Sequence, residues 1–161
     1  MSKNNGKLLN INEFLPYQLV SLSTKVSNDF AHVYEQKGEL TQPQWRVLSH
    51  AIQKEGSTAK HICELASMDK STVSRAIKQL QDRELIEMLV SPSDKRAKTI
   101  AVTEQGRVLY QTLTPLALAW ETELLSCFSD EQKEKFVQLL KLLQSAVDEK
   151  ELDHSLRISS I

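Results

Sequence analysis

Apolar residues recur at helical spacing along most of this 161-residue chain, and the spacing changes to strict alternation in one place. Ile86, Met88 and Val90 alternate with Glu87, Leu89 and Ser91, and an alternating pattern returns at Ile100 and Val102. The segment 92–97 between the two runs is polar and turn-forming. Two alternating runs around such a turn predict a β-hairpin in a chain that is otherwise helical.

The chain before the hairpin shows one long and three short helical patterns. Apolar residues form a single stripe from Leu15 to Val33, and Gly38 favours the end of that helix. Thr41 and Gln44 form a predicted capping box for a second helix, in which Trp45, Leu48 and Ile52 are expected to be buried. A third helix carries Ile62, Leu65 and Ala66, and Asp69 caps a fourth, with Val73, Ala76, Ile77 and Leu80 on one face. Short helices followed directly by a hairpin are typical of a winged helix-turn-helix.

Two more helices are predicted after the hairpin, the first capped by Thr103 and the second by a capping box at Ser129 and Gln132. Their apolar residues, with those of the first helix, exceed what a small winged core can absorb, which predicts a dimer. The expected fold class is mainly α with a small β-hairpin wing, a winged helix-turn-helix plus a helical dimerisation lobe. The predicted segments are a flexible tail at 1–12, the first dimerisation helix at 13–38, the DNA-binding lobe at 39–103, the last dimerisation helices at 104–150 and a flexible tail at 151–161.

Charge is distributed unevenly along the chain, although the net charge is only -1. Between Ser57 and Lys98 there are eight Lys and Arg against six Asp and Glu, whereas between Glu104 and Asp153 there are five against ten. A mildly basic middle followed by an acidic end fits a DNA-facing lobe beside a lobe kept away from phosphates.

The exposed face of the fourth helix is the first candidate DNA-binding surface. Ser71, Arg75 and Lys78 lie opposite the apolar stripe, with Ser74 beside them. An Arg near the start of a helix can read guanine in the major groove, short hydroxyl side chains can contact base edges or phosphates, and Lys78 suits a phosphate. The alternative is a solvated helix face with ordinary mixed charge.

The hairpin tip is the second candidate. Lys95, Arg96 and Lys98 would lie where a wing reaches the adjacent minor groove, whose negative potential attracts Arg. Asp94 has the wrong charge for a phosphate and fits better as an internal partner that orients an arginine. Taken alone, the tip could be an ordinary charged turn. The two features together, at this separation, favour DNA binding.

At these residues the sequence resembles the MarR family of transcriptional regulators, from about Phe14 to Val147. The resemblance is carried by the stretches 15–17, 40–48, 65–66, 68–77, 94–96 and 102–106. It implies that Ser71, Thr72, Ser74 and Arg75 contact the operator, that Asp94 and Arg96 are the working pair of the wing, and that the helical lobe forms an intertwined dimer. The family's wing often has consecutive arginines, and Lys95 stands in place of one here.

Members of this family commonly hold a small ligand, often an aromatic acid, between the helical and winged lobes. The resemblance therefore suggests an effector site lined by Ser27, Phe30, Trp45, Arg46 and Met68, in which Arg46 could clamp a carboxylate. Core packing of the apolar members and a surface or intersubunit ion pair at Arg46 are the alternative.

The expected function is a dimeric, sequence-specific regulator of transcription, a repressor released from a pseudo-palindromic duplex by a small effector. Two alternatives remain. One is a redox-responsive regulator that uses Cys63 or Cys127, although both thiols are expected to be buried and inert; the other is a helical protein-interaction module that binds no DNA. No catalytic, metal-binding or cofactor-binding pattern is present, so neither an enzyme nor a cofactor is expected. The absence of a signal peptide and of a long apolar run predicts a cytoplasmic protein without membrane contact.

Overall fold

A computed structural model of the chain describes residues 8–90 and 98–158. Over these residues the elements follow the predicted order. They are α1 (Leu15–Gly38), α2 (Gln42–Gln53), α3 (Ala59–Ala66), α4 (Lys70–Asp82), β1 (Ile86–Val90), β2 (Lys98–Val102), α5 (Glu104–Leu124) and α6 (Asp130–Ile158). Single 3-10 turns occur at Ile11–Glu13 and Leu125–Cys127. The predicted fold class, a mainly helical winged helix-turn-helix with one hairpin, is confirmed.

Local side chains set the beginnings of the short helices. The Gln44 side chain accepts the Thr41 N–H at 2.7 Å, which confirms the predicted capping box of α2. Thr58 caps α3 by accepting a hydrogen bond from the backbone N–H of His61. Asp69 caps α4, also as predicted. Each cap satisfies backbone N–H groups that have no partner inside the helix.

The apolar core of the winged lobe, residues 39–103, lies between α2, α3, α4 and the hairpin. Its most enclosed members are Leu40, Val47, Leu48, Ile62, Val73, Leu80, Leu85 and Ile100. The predicted buried face of α4 is confirmed in full, since all four of its residues are buried. The predicted face of α2 is wrong in part, because Val47 and Ala51 are buried while Trp45 and Ile52 are only half-buried. Burying one large aliphatic side chain stabilises a fold by about 1.5–3 kcal/mol.

The hairpin is antiparallel and is attached to the helices by backbone hydrogen bonds. Its register pairs Ile86 with Val102 and Val90 with Lys98. The Ile100 N–H donates to the Ser57 carbonyl at 2.8 Å, so β2 is tied to the link between α2 and α3. The tip residues Asp94, Lys95 and Arg96 lie outside the described residues, and their roles stay predictions.

The chain divides within α5 into two compact units, the first ending at Leu118 and the second beginning at Ala119. In the first unit, α5 packs close to the end of α1, since a Cβ on Gly38 would lie 2.8 Å from Leu113 Cδ1. This division falls later than the predicted boundary between residues 103 and 104, because the first turns of α5 pack with the elements before them.

The last helix is longer than predicted. α6 begins at the predicted capping box, in which Ser129 and Gln132 bond to each other's backbone N–H groups. It continues to Ile158, into the segment 151–161 that was expected to be an irregular tail. Residues 151–158 contain neither Pro nor Gly, so nothing in the local sequence stops the helix.

Candidate nucleic-acid interface

The exposed face of α4 is formed as predicted. Ser71, Ser74, Arg75 and Lys78 are exposed, and Thr72 is half-buried at the edge of the same face. The opposite face of the helix is buried in the core of the winged lobe. The helix is therefore fixed by its apolar face and presents these five polar side chains on the other.

Asp69 organises the first turn of α4. Its Oδ1 atom accepts hydrogen bonds from Ser71 Oγ at 2.6 Å and from the Thr72 N–H at 2.9 Å. Its Oδ2 atom accepts from Thr72 Oγ1 at 2.6 Å. The hydrogen bonds from Ser71 and Thr72 hold the pKa of the Asp69 carboxyl far below its ordinary value. The carboxylate is therefore a charged organiser of this turn, a role that capping preference alone did not reveal.

This arrangement limits what two predicted contact residues can offer. A hydroxyl group has one proton to donate and two lone pairs to accept with. Ser71 and Thr72 both donate their proton to Asp69, so their outward oxygen atoms are acceptors. Acceptors match the amino groups of adenine and cytosine in the major groove, whereas a phosphate requires a donor.

Arg75 and Lys78 supply the positive charge of the face. The Arg75 side chain bends toward the start of the helix, where Nε donates to the Ser71 carbonyl at 3.3 Å. This contact leaves the terminal nitrogen atoms of the guanidinium as a planar pair of donors beside the first turn, the geometry that suits guanine. Lys78 lies one turn further along α4.

Lys98 is the one predicted wing residue among the described positions. It is exposed and begins β2, opposite Val90. The structure thus brings the five predicted α4 residues together on one face and places Lys98 on the hairpin. The remaining three wing residues lie in the segment 91–97 and are outside the described residues.

The predicted effector residues Phe30 and Trp45 meet in an aromatic cluster with Tyr34 and Tyr110. The Phe30 and Trp45 ring centroids are 5.8 Å apart in an edge-to-face arrangement. Trp45 stacks on Tyr34 at 5.9 Å and on Tyr110 at 5.5 Å. Burial, with Glu35 nearby, raises the pKa of Tyr34. Tyr34 and Tyr110 were not predicted, because their contacts with Trp45 join residues that are distant in sequence.

The other predicted effector residues, Ser27, Arg46 and Met68, make separate contacts. Ser27 accepts a hydrogen bond from the Gln42 side chain, and Arg46 Nη1 donates to the Ala66 carbonyl at 3.3 Å, at the end of α3. Met68 packs against the core of the winged lobe. Ser49, one turn after Trp45 on α2, has a buried hydroxyl oxygen with no hydrogen-bond partner among the described residues. An enclosed hydroxyl of this kind is a polar atom that a bound ligand could satisfy.

The two cysteines differ in exposure. Cys63 is half-buried against the core, whereas Cys127 is exposed in the turn that follows α5. The prediction that both thiols are buried is therefore wrong for Cys127, because its 3-10 turn carries no buried residue.

Neither a metal centre nor a membrane span is found in the part of the chain that the structure describes. No three His, Cys, Asp or Glu side chains lie together there where they could hold a metal ion. Within residues 8–90 and 98–158, no helix combines the length and apolar character that a membrane crossing requires.

The helices α2 to α4 and the hairpin after them define the class, a winged helix-turn-helix protein. A family model described as MarR family matches residues 39–97. The chain is 32% identical over 100 residues to the HTH-type transcriptional regulator YwoH of Bacillus subtilis, a match that covers 62% of this chain and 72% of that protein. The crystal structure of a MarR/EmrR family transcriptional regulator from Acinetobacter sp. ADP1 is 30% identical with a TM-score of 0.79, covering 88% and 99% of the two chains. The chain belongs to the MarR family of transcriptional regulators.

A more distant structure shares the fold. It comes from work on how 6-hydroxynicotinic acid regulates DNA binding by Bordetella bronchiseptica BpsR. This structure is 20% identical to the chain, with a TM-score of 0.76 and coverage of 85% and 97%. At this identity the likeness shows the fold alone.

Proposed function

We propose that this regulator is a homodimer that binds a pseudo-palindromic DNA duplex through α4 and the wing, represses transcription there, and is released by a small aromatic acid. The observation that carries the proposal is the exposed face of α4. One helix combines a fully buried apolar side, an organised first turn and an outward Arg and Lys, and a hairpin follows it directly. This is the arrangement that a recognition helix needs in the major groove.

Exposed apolar side chains support the homodimer. In the first unit, Val20 of α1 is 67% exposed, and Leu15 and Tyr17 of the same helix are 55% and 48% exposed. In the second unit, Leu142 of α6 is also 67% exposed and Leu139 is 54% exposed. Monomers rarely leave so much apolar surface in water, and a second copy would bury it in a symmetric interface.

The aromatic cluster supports an aromatic effector. Phe30 and Trp45 are half-buried, so a planar ligand could reach ring faces and edges that are already fixed in position. Arg46, next to Trp45 in sequence, is the proposed partner of a carboxylate. BpsR, whose DNA binding is regulated by an aromatic acid, has the same fold and supports this ligand class. The exposure of Cys127 favours thiol oxidation as a second candidate route of release.

Selection of bound duplexes from a random pool tests the proposal. We expect a recurring two-fold sequence whose half-sites are about 10 base pairs apart. The logarithm of the binding constant should fall linearly with the logarithm of the salt concentration, by about one unit of slope for each phosphate contact. Addition of aromatic acids to the complex should then release the duplex. A protein that retains no duplex at any salt concentration would instead be the interaction module that binds no DNA.

A further inference from the structure

The residue directly after the recognition helix α4 also binds the carbonyl groups at the end of α1. Arg83 follows the last residue of α4, and its guanidinium donates two hydrogen bonds back to α1. Nη1 donates to the Glu39 carbonyl at 2.7 Å, and Nη2 donates to the Gly38 carbonyl at 2.9 Å. These two residues are the last of α1 and its C-cap, 45 and 44 positions earlier in the chain.

The chemistry of this contact makes it directional. The last carbonyls of a helix have no partner inside the helix and carry the negative end of its dipole. A guanidinium binds such a pair with two parallel N–H groups in one plane, which fixes angle as well as distance. Arg83 is half-buried, so water competes less for these hydrogen bonds than it would at a fully exposed site.

The same short link is held from its other side by α5. Gln105 Nε2 donates to the Arg83 carbonyl at 3.4 Å, and Thr103 Oγ1 donates to the Glu84 carbonyl at 2.7 Å. The Thr103 N–H donates to the Leu85 carbonyl at 3.2 Å. Residues 83–85, hereafter the coupling link, thus join the end of α4 to the end of α1 and to the beginning of α5.

We propose that Arg83 is a positioning residue for DNA binding, one that fixes the direction of α4 relative to α1 and α5 and thereby sets the half-site spacing that the dimer accepts. The inference rests on the proposed function, because it requires a dimer with two recognition helices. Arg83 need not touch DNA in this role. It acts by keeping α4 from tilting about its own end.

Half-site spacing provides a readout that general stability would not change. Adding or removing one base pair between half-sites moves one of them by about 3.4 Å along the axis and rotates it around the duplex. Two rigidly held recognition helices cannot follow that change, whereas two helices that tilt freely can. The affinity of each α4 for its own half-site should not depend on Arg83.

The test compares wild type, Arg83→Gln, Arg83→Lys and the control Lys37→Gln. Lys37 lies in the last turn of α1 and is exposed, so its removal takes a positive charge from the same helix end without removing the two-pronged contact. Affinities are measured at fixed salt for the selected duplex, for duplexes with one base pair more or less between half-sites, and for a single half-site.

Wild type and Lys37→Gln should lose about tenfold or more in affinity when the spacing changes, an effect of the size of one mismatched base pair. Arg83→Gln should lose at most about threefold on the same change and should keep the wild-type affinity for a single half-site. Arg83→Lys, which keeps the charge but not the planar fork, should lie between them. The inference would be overturned if Arg83→Gln kept the wild-type spacing preference. It would also be overturned if Arg83→Gln lost both its spacing preference and its affinity for a single half-site.

A second measurement needs no DNA. Nitroxide labels at position 78, introduced by Lys78→Cys with Cys63 and Cys127 replaced by Ser, report the distance between the two α4 helices of a dimer. The distance distribution should be narrow in the wild-type background and clearly broader with Arg83→Gln. Distance distributions of equal width would contradict the role of Arg83. A wild-type protein that dimerises but binds no duplex would contradict the proposed function alone.

Discussion

At the first turn of α4 one carboxylate accepts three hydrogen bonds, and these bonds decide how the neighbouring hydroxyl groups face outward. Asp69 accepts hydrogen bonds from the Ser71 and Thr72 hydroxyl groups and from the Thr72 N–H, so a negative charge near the proposed DNA surface is satisfied within the first turn of the helix. The residue has two roles, since it caps the helix and orients the side chains that we propose for base contact. A mutation here should therefore change stability and recognition together.

Replacing Asp69 should produce a pH-dependent loss of stability. The pKa of Asp69 in the folded chain lies below that of the unfolded chain. The ionised side chain therefore stabilises the fold fully above the unfolded pKa of about 3.9, and this stabilisation is lost as the pH falls from there toward the folded pKa. The difference in Tm between wild type and Asp69→Ala should be constant from pH 7 to about pH 5 and shrink below about pH 4. Ser71→Ala, which removes one of the three hydrogen bonds, should show a smaller difference. A difference that does not change with pH would contradict this account of the cap.

Among the elements, the coupling link is approached closely by the backbone of α5 at Gly106, the most crowded glycine of the described residues. A Cβ on Gly106, near the beginning of α5, would lie 2.1 Å from the Leu85 carbonyl oxygen. Glu84 in the same link has a φ of 57°, in the left-handed region where side chains are disfavoured. Both features indicate that the link between α4 and β1 is set by its neighbours rather than by its own preferences.

Two glycine substitutions, compared by urea denaturation, should test the close approach of α5 to the coupling link. Gly106→Ala should lower the free energy of unfolding by about 1–3 kcal/mol, because the backbone must move to admit the methyl group. Gly38→Ala is the matched control, since its methyl group would lie 2.8 Å from the side-chain end of Leu113 and at the ordinary contact distance of 3.5 Å from Leu40, with no backbone atom in the way. The control should change the free energy of unfolding by less than Gly106→Ala does, and equal losses would contradict the geometry of the link.

The helices, their caps and the hairpin could be predicted from sequence because each depends on residues within a turn or two. Thr41 with Gln44, Asp69, and Ser129 with Gln132 are local signals of this kind. The end of α6 was predicted too early, because a polar and irregular composition from Glu151 onward does not distinguish a frayed end from a continuing exposed helix. Leu65, one of the apolar residues that indicated α3, is 49% exposed, since helical spacing does not say which side of a short helix meets the core. Arg83 and the aromatic cluster could not be predicted, because they join residues that only the fold brings together.

For the molecule as a whole, charge and apolar surface are distributed in the way the proposed dimer requires. The winged lobe carries the basic residues proposed to meet DNA, and the chain from Glu104 onward is acidic. The exposed leucines of α6 lie in that acidic part. Apolar association of these segments in two copies would bury the exposed leucines.

Leu142→Glu should prevent dimerisation, because it places a charge on an apolar face that we propose is buried between copies. Leu89→Glu, at an exposed leucine of the hairpin, is the matched control and should stay dimeric. Sedimentation velocity over a range of concentrations measures the outcome. A Leu142→Glu protein that sediments as a dimer would show that this part of α6 is not the interface.

The ratio of affinities for a selected duplex and a random duplex, measured in wild type and Arg75→Ala, tests the central claim most directly. A sequence-specific regulator should bind the selected duplex about a thousandfold or more tighter than a random one at physiological salt. Arg75→Ala should weaken binding to the selected duplex by about 1–3 kcal/mol and relax the sequence preference, whereas Lys78→Ala should weaken binding to both duplexes nearly equally and lower the salt slope by about one. A wild-type ratio near one, or an unchanged ratio in Arg75→Ala, would contradict the claim that α4 reads the DNA sequence.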